Sequence, residues 1–524
     1  MNPALRPLRC LLFLAAFASA ALAQTEKWGV YEVALPGPAD GNPFADVELG
    51  ATFSQGAASV QVHGFYDGNG TYRIRFMPGA TGEWRYVTHA NRPELDGKTG
   101  SFTAIAPSAG NHGPVHVAHT YHFAYDDGTP YRELGTTCYA WVHQPEALEE
   151  QTLRTLADAP FNKIRFCVFP KWYEHNRSEP IFYPYEGTPP NHWDFTRFNP
   201  AFFRHFEKRI QQLGALGIEA DIILFHPYDQ GHWGFDRMGA KNDDFYLHYV
   251  VARFSAYRNV WWSMANEYDF VRNKTESDWD RFFQIVQADD PYHHLRSIHN
   301  GGMIYDNRHP WVTHSSIQNG SAVLNPGAAE LYREAFRKPV VYDEVKYEGN
   351  ISSRWGQLTP QEMVVRFWNG YVAGTYVGHG ETYESPDDVL WWSKGGVLHG
   401  QSPARLKFLR RVMEGAPPEG INPIDKWQEK DLNVGGKPGE YYLVYFGREP
   451  MSSWKFELYK TGLKGGEKFK AEVLDTWNMT VADAGTFTTQ AESKTNNYYF
   501  EDAQQRSIAL PGRPYLAIRL TRVP

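Results

Sequence analysis

Cysteine is scarce in this sequence, with three residues among 524. Cys10 lies close to the start, whereas Cys138 and Cys167 fall on predicted strands, which favours buried small side chains over a disulfide framework. A disulfide bond between these two cysteines remains an alternative if the protein resides in an oxidising compartment. Two cysteines are too few for a zinc ribbon. The fold is therefore expected to depend on a hydrophobic core.

Blocks of basic residues are absent as well. The formal net charge is -8 and both signs are spread along the sequence, which argues against nucleic acid as a partner. Beyond the N-terminal segment, no apolar stretch reaches the ~18 residues that a membrane-spanning helix needs. Internal repeats and low-complexity segments are also missing. Aromatic residues, by contrast, make up 15% of the chain, which fits either aromatic cores or stacking on sugar rings.

The first 23 residues have the pattern of a secretory signal peptide. Arg6 and Arg9 give a short positive region, residues 11–21 form an apolar run, and Ala-Leu-Ala at 21–23 is a small-x-small cleavage site before Gln24. The run is too short for a membrane anchor. We therefore expect an exported protein, periplasmic or extracellular.

The remaining chain divides into three segments by its patterning. Residues 24–110 alternate short apolar and polar runs with turn clusters, which predicts a small β-sandwich. Residues 111–418 alternate strands with amphipathic helices, as parallel α/β folds do. Residues 419–524 turn β-rich again and predict a second small β-sandwich. The expected fold class is thus α/β, a (β/α)8 barrel flanked by two all-β sandwich domains.

The central segment shows helix and strand signals in alternation. Asn199 precedes a proline and an apolar side chain every three or four residues, the pattern of a capped amphipathic helix. Thr359 and Glu362 form a capping box at the start of another helix. Eight strand candidates fit a TIM barrel, and they lie near residues 133–139, 163–168, 219–225, 259–265, 295–299, 311–316, 339–344 and 374–379.

Two glutamates end the fourth and seventh of these strands. Glu267 follows residues 260–266 and Glu344 follows residues 339–343. In a TIM barrel, catalytic residues lie at the C-terminal ends of strands. Glycoside hydrolysis needs two carboxyl groups flanking the scissile bond, one to protonate the leaving oxygen and one, in a retaining enzyme, to attack the anomeric carbon. The pair therefore predicts a glycoside hydrolase, with surface-loop carboxylates as the structural alternative.

These residues resemble a known group of enzymes. The fourth-strand Trp-x-x-x-Asn-Glu at 262–267 and the seventh-strand Glu344 resemble clan A of the glycoside hydrolases. Together with residues 225–229 and 338–349, the chain more closely resembles the apiosidase-like barrel family, which has flanking β domains. The resemblance implies Glu267 as acid/base and Glu344 as nucleophile of a retaining enzyme that needs no cofactor. It covers nearly all of the chain after residue 23.

The resemblance also implies two supporting residues. Asn266 would bind the sugar hydroxyl next to the anomeric carbon, and Arg165 on the second strand would hydrogen-bond the nucleophile. A tyrosine or histidine on the sixth strand usually touches the nucleophile in clan A. Here that strand offers His314 and Gln318, so its contribution stays open.

Other polar and aromatic side chains at strand ends or in the following loops are candidate substrate ligands. As part of one active-site face, they could contact the sugar or only pack the loops together. They are His226, His299, Gln318, His379, Glu381, Trp141, Trp172 and Trp233.

Several alternatives remain at this point. Asp343, Glu348 and Glu381 are rival nucleophiles, although Asp343 should point to the opposite face of its strand from Glu344. His226 and its neighbours match no defensible metal motif, so we expect no metal site. The same barrel could serve a transglycosylase, a metal-dependent hydrolase, or a non-catalytic carbohydrate-binding or adhesion protein. The expected partner in each enzymatic case is a poly- or oligosaccharide.

Overall fold

The computed structural model describes residues 23–385, 390–424, 433–492 and 498–524. All of the expected signal peptide except Ala23 lies outside these residues, so the structure leaves that prediction open. Within the described ranges, none of the helices combines the length and apolar character that crossing a membrane would require.

The N-terminal part is a seven-stranded sheet folded over on itself. It has one short helix, α1 (Pro43–Asp46), and its order is β1-β7-β6-β3-β4-β5-β2. The long β4 pairs with β3 and then, from Gly64 on, with β5, which brings two layers face to face. Stacked rings such as Phe53 and Phe76, with centroids 4.2 Å apart, fill the space between them. The strands are β1 (Ala23–Glu26), β2 (Tyr31–Pro36), β3 (Leu49–Gln55), β4 (Ala58–Tyr66), β5 (Thr71–Phe76), β6 (Gly82–Ala90) and β7 (Thr99–Ile105).

A small antiparallel sheet follows and covers the bottom of the barrel. Its strands are β8 (Val115–Ala118), β9 (His122–Tyr125) and β10 (Pro130–Tyr131). Phe123 and Tyr131 from this sheet pack against Trp261 of the barrel, with ring centroids 5.3 Å and 5.7 Å away. These contacts close the end of the barrel opposite to the candidate site.

The centre of the molecule is the predicted eight-stranded parallel barrel. Its strands are β11 (Gly135–Thr137), β12 (Lys163–Cys167), β15 (Glu219–Phe225), β16 (Val260–Ala265), β17 (Arg296–Ser297), β18 (Ser315–Gln318), β19 (Val340–Glu344) and β21 (Tyr376–His379). Hydrogen bonding runs β17-β16-β15-β12-β11-β21-β19-β18. Among the described residues, β17 and β18 share no continuous ladder. The seam between these two strands is joined by a parallel bridge between His299 and Ser316. Beside it, the Thr313 amide donates a hydrogen bond of 2.9 Å to the Arg296 carbonyl.

Helices surround the barrel as the sequence predicts. They are α2 (Glu146–Asp158), α3 (Pro200–Ala215), α4 (Ala240–Phe254), α5 (Glu276–Asp289), α6 (Pro326–Phe336), α7 (Pro360–Val372), α8 (Trp391–Lys394) and α9 (Ser402–Glu414). Asn199 caps α3 by accepting from the Ala201 amide at 3.1 Å, and Thr359 and Glu362 form the capping box of α7. A hairpin, β13 (Tyr185–Thr188) and β14 (His192–Phe198), and the short pair β20 (Glu348–Gly349) and β22 (Glu381–Thr382) extend from the barrel top.

The C-terminal part is a second β-rich unit with its own apolar core. A six-stranded sheet, β23-β24-β25-β32-β28-β29, packs against two short pairs. Phe456 of this core stacks on Phe487 at 5.1 Å. Gly435 lies against the Val372 carbonyl of α7, where an added Cβ would be 2.0 Å from that oxygen. The strands are β23 (Asn422–Pro423), β24 (Asn433–Lys437), β25 (Tyr441–Tyr445), β26 (Met451–Lys455), β27 (Glu457–Tyr459), β28 (Lys468–Asp475), β29 (Thr480–Thr488), β30 (Tyr499–Glu501), β31 (Ser507–Arg513) and β32 (Leu516–Val523).

A buried ion network fastens the N-terminal sheet to the barrel helices. Glu207 of α3 accepts from Arg75 of β5 at 2.5 Å and from Arg253 of α4 at 2.7 Å. Arg253 also reaches Asp67, 2.9 Å away. Arg75, Glu207 and Arg253 are all buried. The Glu207 carboxylate therefore supplies a counter-charge that both guanidinium groups need.

The two cysteines of the described chain, Cys138 and Cys167, are both free and fully buried. They lie at the ends of the first two barrel strands and act as small core side chains.

Candidate active site

A cavity of about 670 Å³ opens at the C-terminal ends of the barrel strands. Both predicted glutamates line it. The other lining side chains are mainly aromatic, amide or cationic, and they include Tyr139, Lys171, Tyr173, Tyr228, Asn266, Gln318, Tyr347, Trp355 and Trp392. The structure thus brings together four of the sequence-predicted residues, namely Glu267, Glu344, Asn266 and Gln318.

Glu267 is held in an uncommon backbone conformation at the end of β16. Its φ of +48° and ψ of +55° are left-handed, which costs a non-glycine residue on the order of 1 kcal/mol. The flanking amides fix this turn, since Asn266 donates to the Phe225 carbonyl at 3.0 Å and Tyr268 donates to the His299 carbonyl at 3.0 Å. The turn ends the strand abruptly and leaves Glu267 among the cavity-lining residues.

The surroundings of Glu267 favour its protonated form. Burial raises the pKa of its carboxyl group, and the nearby charge of Glu344 raises that pKa further. The Tyr228 hydroxyl donates to Glu267 Oε2 and opposes this shift, as does the Gln318 amide, 3.1 Å from Oε1. A carboxyl group with a raised pKa is suited to donate a proton near neutral pH.

The surroundings of Glu344 have the opposite effect. Burial alone would raise the pKa of Glu344. The resulting pKa is nevertheless well below the usual value of a glutamate, because His299, Arg165 and Tyr139 all favour the ionised carboxylate. His299 Nε2 lies 3.4 Å from Oε1, and the Tyr139 hydroxyl donates to the same oxygen. Two carboxyl groups with oppositely shifted pKa values are the arrangement that acid/base and nucleophile roles require.

Gln318 connects the two carboxyl groups. Its Nε2 lies 3.1 Å from Glu267 Oε1 and 2.6 Å from Glu344 Oε2. Because both oxygens contact the same nitrogen, the two distances allow a separation of at most about 5.7 Å between them. This limit accommodates the ~5–5.5 Å of retaining glycosidases and is shorter than the ~6.5–9.5 Å of inverting ones.

Arg165 does not make the direct contact with Glu344 that the resemblance implied. Its guanidinium lies 3.4 Å from Asp221 and 3.8 Å from Asp343, and it reaches Asn266 Oδ1 at 3.4 Å. These buried carboxylates lie in the barrel interior and hold the guanidinium there. Arg165 therefore acts on Glu344 through its charge and orients Asn266.

Lys171 occupies the floor of the cavity inside a cage of rings. Its Nζ is 3.8 Å, 4.5 Å, 4.1 Å and 5.1 Å from the ring centroids of Tyr139, Tyr173, Tyr228 and Trp392. Burial lowers the pKa of this ammonium group. Two of the caging rings belong to the tyrosines that donate to Glu344 and Glu267, so the lysine and the carboxyl pair share Tyr139 and Tyr228 as neighbours.

Four predicted substrate ligands are buried behind or beside the cavity, which corrects that prediction. His299 touches Glu344 and Ser316 rather than open space. His226 contacts the Phe169 carbonyl through one ring nitrogen and accepts from the Tyr228 amide through the other. His379 contacts Thr136 in the core. Glu381 accepts from the amides of His399 and Gly400 before α9. With side chains 3% exposed or less, none of the four can stack on or bond a sugar directly.

The three predicted tryptophan platforms also lie elsewhere. Trp141 is fully buried and donates to the Glu149 carbonyl at 3.1 Å, and Trp233 is fully buried and donates to Glu179 at 3.0 Å. Trp172 stacks on His232 with centroids 3.7 Å apart and does not line the cavity. All three rings therefore pack against other parts of the protein, Trp141 after the first barrel strand, Trp172 after the second and Trp233 after the third.

The rival nucleophiles are engaged in structural contacts. Asp343 faces the barrel interior, as the strand alternation predicts, and accepts from Lys163 at 2.8 Å. Glu348 accepts from the amides of Gln401 and Ser402 at the start of α9. Glu344 is therefore the carboxylate of this group that the cavity exposes.

Across the described ranges, one group has the spacing of metal ligands, Glu146, Glu149 and His205. Arg209 lies 2.6 Å from Glu149 and 2.7 Å from Glu146, and Lys208 lies 2.5 Å from Glu146. These cations already balance the carboxylates. The group lies on α2 and α3 and is absent from the cavity lining.

Sequence reasoning missed several residues of the cavity. Tyr139 ends the predicted first strand and Tyr228 lies just past the third, so the strand-end rule that found the glutamates would also have found them. Lys171, Trp355 and Trp392 lie on connections beyond the strand ends, Trp392 in the short helix α8, where sequence position alone does not predict which side chains converge.

Comparison with known proteins agrees with the geometry. Residues 118–438 match the model described as apiosidase-like, catalytic domain. Residues 24–91 and 427–521 match two domains of unknown function, DUF5060 and DUF5605. No curated protein matches the chain.

Solved structures resemble the chain over most of its length. A provisionally assigned glycoside hydrolase from Bacteroides vulgatus is 43% identical, with a TM-score of 0.91, covering 96% of this chain and 100% of that one. A glycoside hydrolase family 5 protein from the same organism is 15% identical, with a TM-score of 0.58, covering 78% of this chain and 93% of that one. At that identity, the second structure shows the shared fold alone.

Proposed function

Given that this chain belongs to the apiosidase-like catalytic-domain family and is a glycoside hydrolase, we propose that it cleaves glycosidic bonds of poly- or oligosaccharides with retention of configuration. Glu344 is the nucleophile and Glu267 is the acid and then the base. The single observation that carries the proposal is the Gln318 amide, which lies 3.1 Å from one carboxyl group and 2.6 Å from the other. A separation of at most about 5.7 Å between these oxygens suits direct attack by Glu344 and is shorter than the ~6.5–9.5 Å that a water between nucleophile and sugar requires.

The first half of the reaction forms a covalent intermediate. Glu344 Oε attacks the anomeric carbon while Glu267 gives its proton to the glycosidic oxygen, and the bond between that oxygen and the carbon breaks. The aglycone departs with the proton. Tyr139 and His299 keep Glu344 ionised for the attack, and Tyr228 holds the Glu267 carboxyl group in place.

The second half releases the sugar. Glu267, now ionised, takes a proton from water, and the resulting hydroxide attacks the anomeric carbon on the face that the aglycone left. The ester bond to Glu344 breaks and the carboxylate is restored. Two inversions at the same carbon give net retention, and Glu267 ends protonated for the next turnover.

The test is a panel of aryl glycosides and polysaccharides, with the anomer of the first-formed product read by ¹H NMR. Glu344→Gln should lower kcat by at least ~10³-fold on any substrate that is cleaved. Glu267→Ala should lower it by roughly 10²–10⁴-fold when the leaving group needs protonation, and far less for a dinitrophenyl glycoside. Azide should accelerate Glu267→Ala by replacing the activated water, giving the glycosyl azide.

Glu334→Gln is the matched control, because Glu334 is an exposed carboxylate on α6. Its kinetics should equal those of the wild type. A first-formed product of inverted configuration would refute the nucleophile role of Glu344. Full activity in Glu344→Gln would do the same.

We also propose that the protein is exported, on the basis of the N-terminal pattern alone. N-terminal sequencing of protein recovered from the periplasm or medium of a bacterial host should begin at Gln24. Recovery of the protein from the cytoplasm alone, with Met1 retained, would contradict export.

A further inference from the structure

Lys171 is the buried cation of the cavity floor and has no assigned role so far. Its side chain is 2% exposed, and it is among the cavity-lining residues. Four aromatic rings surround its Nζ at 3.8–5.1 Å from their centroids. These rings attract the charge but accept no ordinary hydrogen bond.

The ammonium group lacks a hydrogen-bond acceptor or ion-pair partner in the part of the chain that the structure describes. It carries three N–H donors, and burying an unpaired charge is costly. Burial accordingly lowers the pKa of Lys171. The neighbouring carboxyl groups are already engaged, since Glu344 accepts from Tyr139 and Gln318 while Glu267 accepts from Tyr228 and Gln318.

The cavity as a whole is also more cationic than acidic in the proposed resting state. Arg177 and Lys346 line it together with Lys171, whereas the ionised carboxylates are Glu344 and the exposed Glu174 when Glu267 is protonated. An excess of positive charge in a cleft attracts anionic ligands and raises their local concentration.

We propose that the cavity takes an anionic sugar, a uronate, whose carboxylate pairs with Lys171 Nζ at the cavity floor. This inference rests on the proposed function, because it names the substrate class of the same site. The carboxylate belongs to the sugar held between Glu344 and Glu267, since the Lys171 cage shares Tyr139 and Tyr228 with that pair. A neutral hydroxyl would satisfy one N–H but would leave the buried charge uncompensated.

The test measures binding of monosaccharides, which contain no bond for the enzyme to cleave. Ligand-observed NMR titrations compare D-glucuronate, D-galacturonate and D-mannuronate with D-glucose, D-galactose and D-mannose. Each pair differs only in the carboxylate. At least one uronate should bind about 10- to 100-fold more tightly than its neutral counterpart, the range expected for a charged hydrogen bond.

The variant Lys171→Met keeps an unbranched side chain, one heavy atom shorter, and places an apolar group in the cage without charge. It should remove the preference for the uronate, because the affinity for the uronate should fall far more than the affinity for the neutral sugar. Lys171→Gln is the second variant, and thermal unfolding of both reports whether the fold is kept. Lys407→Met, on the exposed face of α9, is the matched control and should retain the preference.

A wild type that binds no uronate more tightly than its neutral partner overturns the proposal. So does a uronate preference that survives in both Lys171 variants. Galactose 6-sulfate serves as a further arm, and binding of the sulfate in place of galacturonate would overturn the carboxylate assignment. Because no turnover is needed, a failure of the retaining mechanism would leave these results unaffected.

Discussion

Tyr228 and Tyr139 each donate a hydrogen bond to one carboxyl group of the pair, so single hydroxyl groups should set the pH limits of activity. The proposed acid must be protonated, and activity should fall as pH rises through the pKa of Glu267. Burial and Glu344 raise that pKa, whereas Tyr228 lowers it. Tyr228→Phe should therefore shift the alkaline limb of kcat/KM to higher pH by about one unit.

Tyr139→Phe is the complementary variant. The proposed nucleophile must be ionised, and removal of the Tyr139 hydroxyl takes away one group that lowers the pKa of Glu344. The acidic limb should move to higher pH while the alkaline limb stays nearly in place. An identical shift of both limbs in both variants would show that the two tyrosines do not act on separate carboxyl groups.

At this scale, sequence predicted the position of the two carboxyl groups better than that of the side chains around them. Glu267 and Glu344 were predictable because the ends of barrel strands converge on one face. The interior position of Asp343 followed from strand alternation. The burial of His299 under Glu344 and the cage around Lys171 were not predictable, because both depend on side chains from several loops meeting in three dimensions.

At the scale of single elements, α7 depends on its capping box. Thr359 accepts from the Glu362 amide at 3.2 Å, and Glu362 accepts from the Thr359 amide at 2.9 Å. Thr359→Ala should lower the free energy of unfolding by about 1 kcal/mol, measured by urea denaturation. Thr359→Ser keeps the hydroxyl and should be nearly neutral. Equal losses in both variants would assign the effect to the methyl group of threonine instead.

Element positions followed the sequence most closely where strands are apolar. The third strand was predicted at 219–225 and spans Glu219–Phe225. The sixth was predicted at 311–316 but spans Ser315–Gln318, because its residues are largely polar and the apolar period that marks a strand is weak there. The shift matters, since it places Gln318 at the strand end beside Glu344.

At the scale of the whole molecule, the Glu207 network should control how firmly the N-terminal sheet is attached. Glu207→Gln keeps the shape of the side chain but leaves Arg75 and Arg253 short of one negative charge in a buried site. The free energy of unfolding should fall by roughly 3 kcal/mol, measured by urea denaturation at pH 7. Glu334→Gln, on the solvent face of α6, should change it by less than about 0.5 kcal/mol.

The pH dependence of that loss has a definite sign. Burial would raise the pKa of Glu207, but Arg253 and Arg75 bring it below the ordinary value of 4.5. The stabilisation is therefore fully present above pH 4.5 and is lost as pH falls through the lower folded-state pKa. Wild type and Glu207→Gln should thus converge in stability at acidic pH. A constant difference across this range would contradict the ionised state of Glu207.

The C-terminal β unit should be sensitive to one close backbone approach. A methyl group at Gly435 would lie 2.0 Å from the Val372 carbonyl, so Gly435→Ala must push β24 away from α7. We expect a loss of about 1–3 kcal/mol in thermal or urea unfolding. Gly79→Ala is the control, because no atom lies within 4 Å of its added Cβ. Equal stability of the two variants would show that β24 is not closely packed against α7.

The seam of the barrel has a consequence for hydrogen exchange. The fifth and sixth strands are joined through the His299–Ser316 bridge rather than a continuous ladder in the described chain, and such places open locally before the whole molecule unfolds. Deuterium should enter the amides around residues 297–299 and 315–317 earlier than those of β15 and β16. Because His299 also touches Glu344, each opening would withdraw a ring from the proposed nucleophile, and on heating the enzyme should lose activity below its calorimetric midpoint.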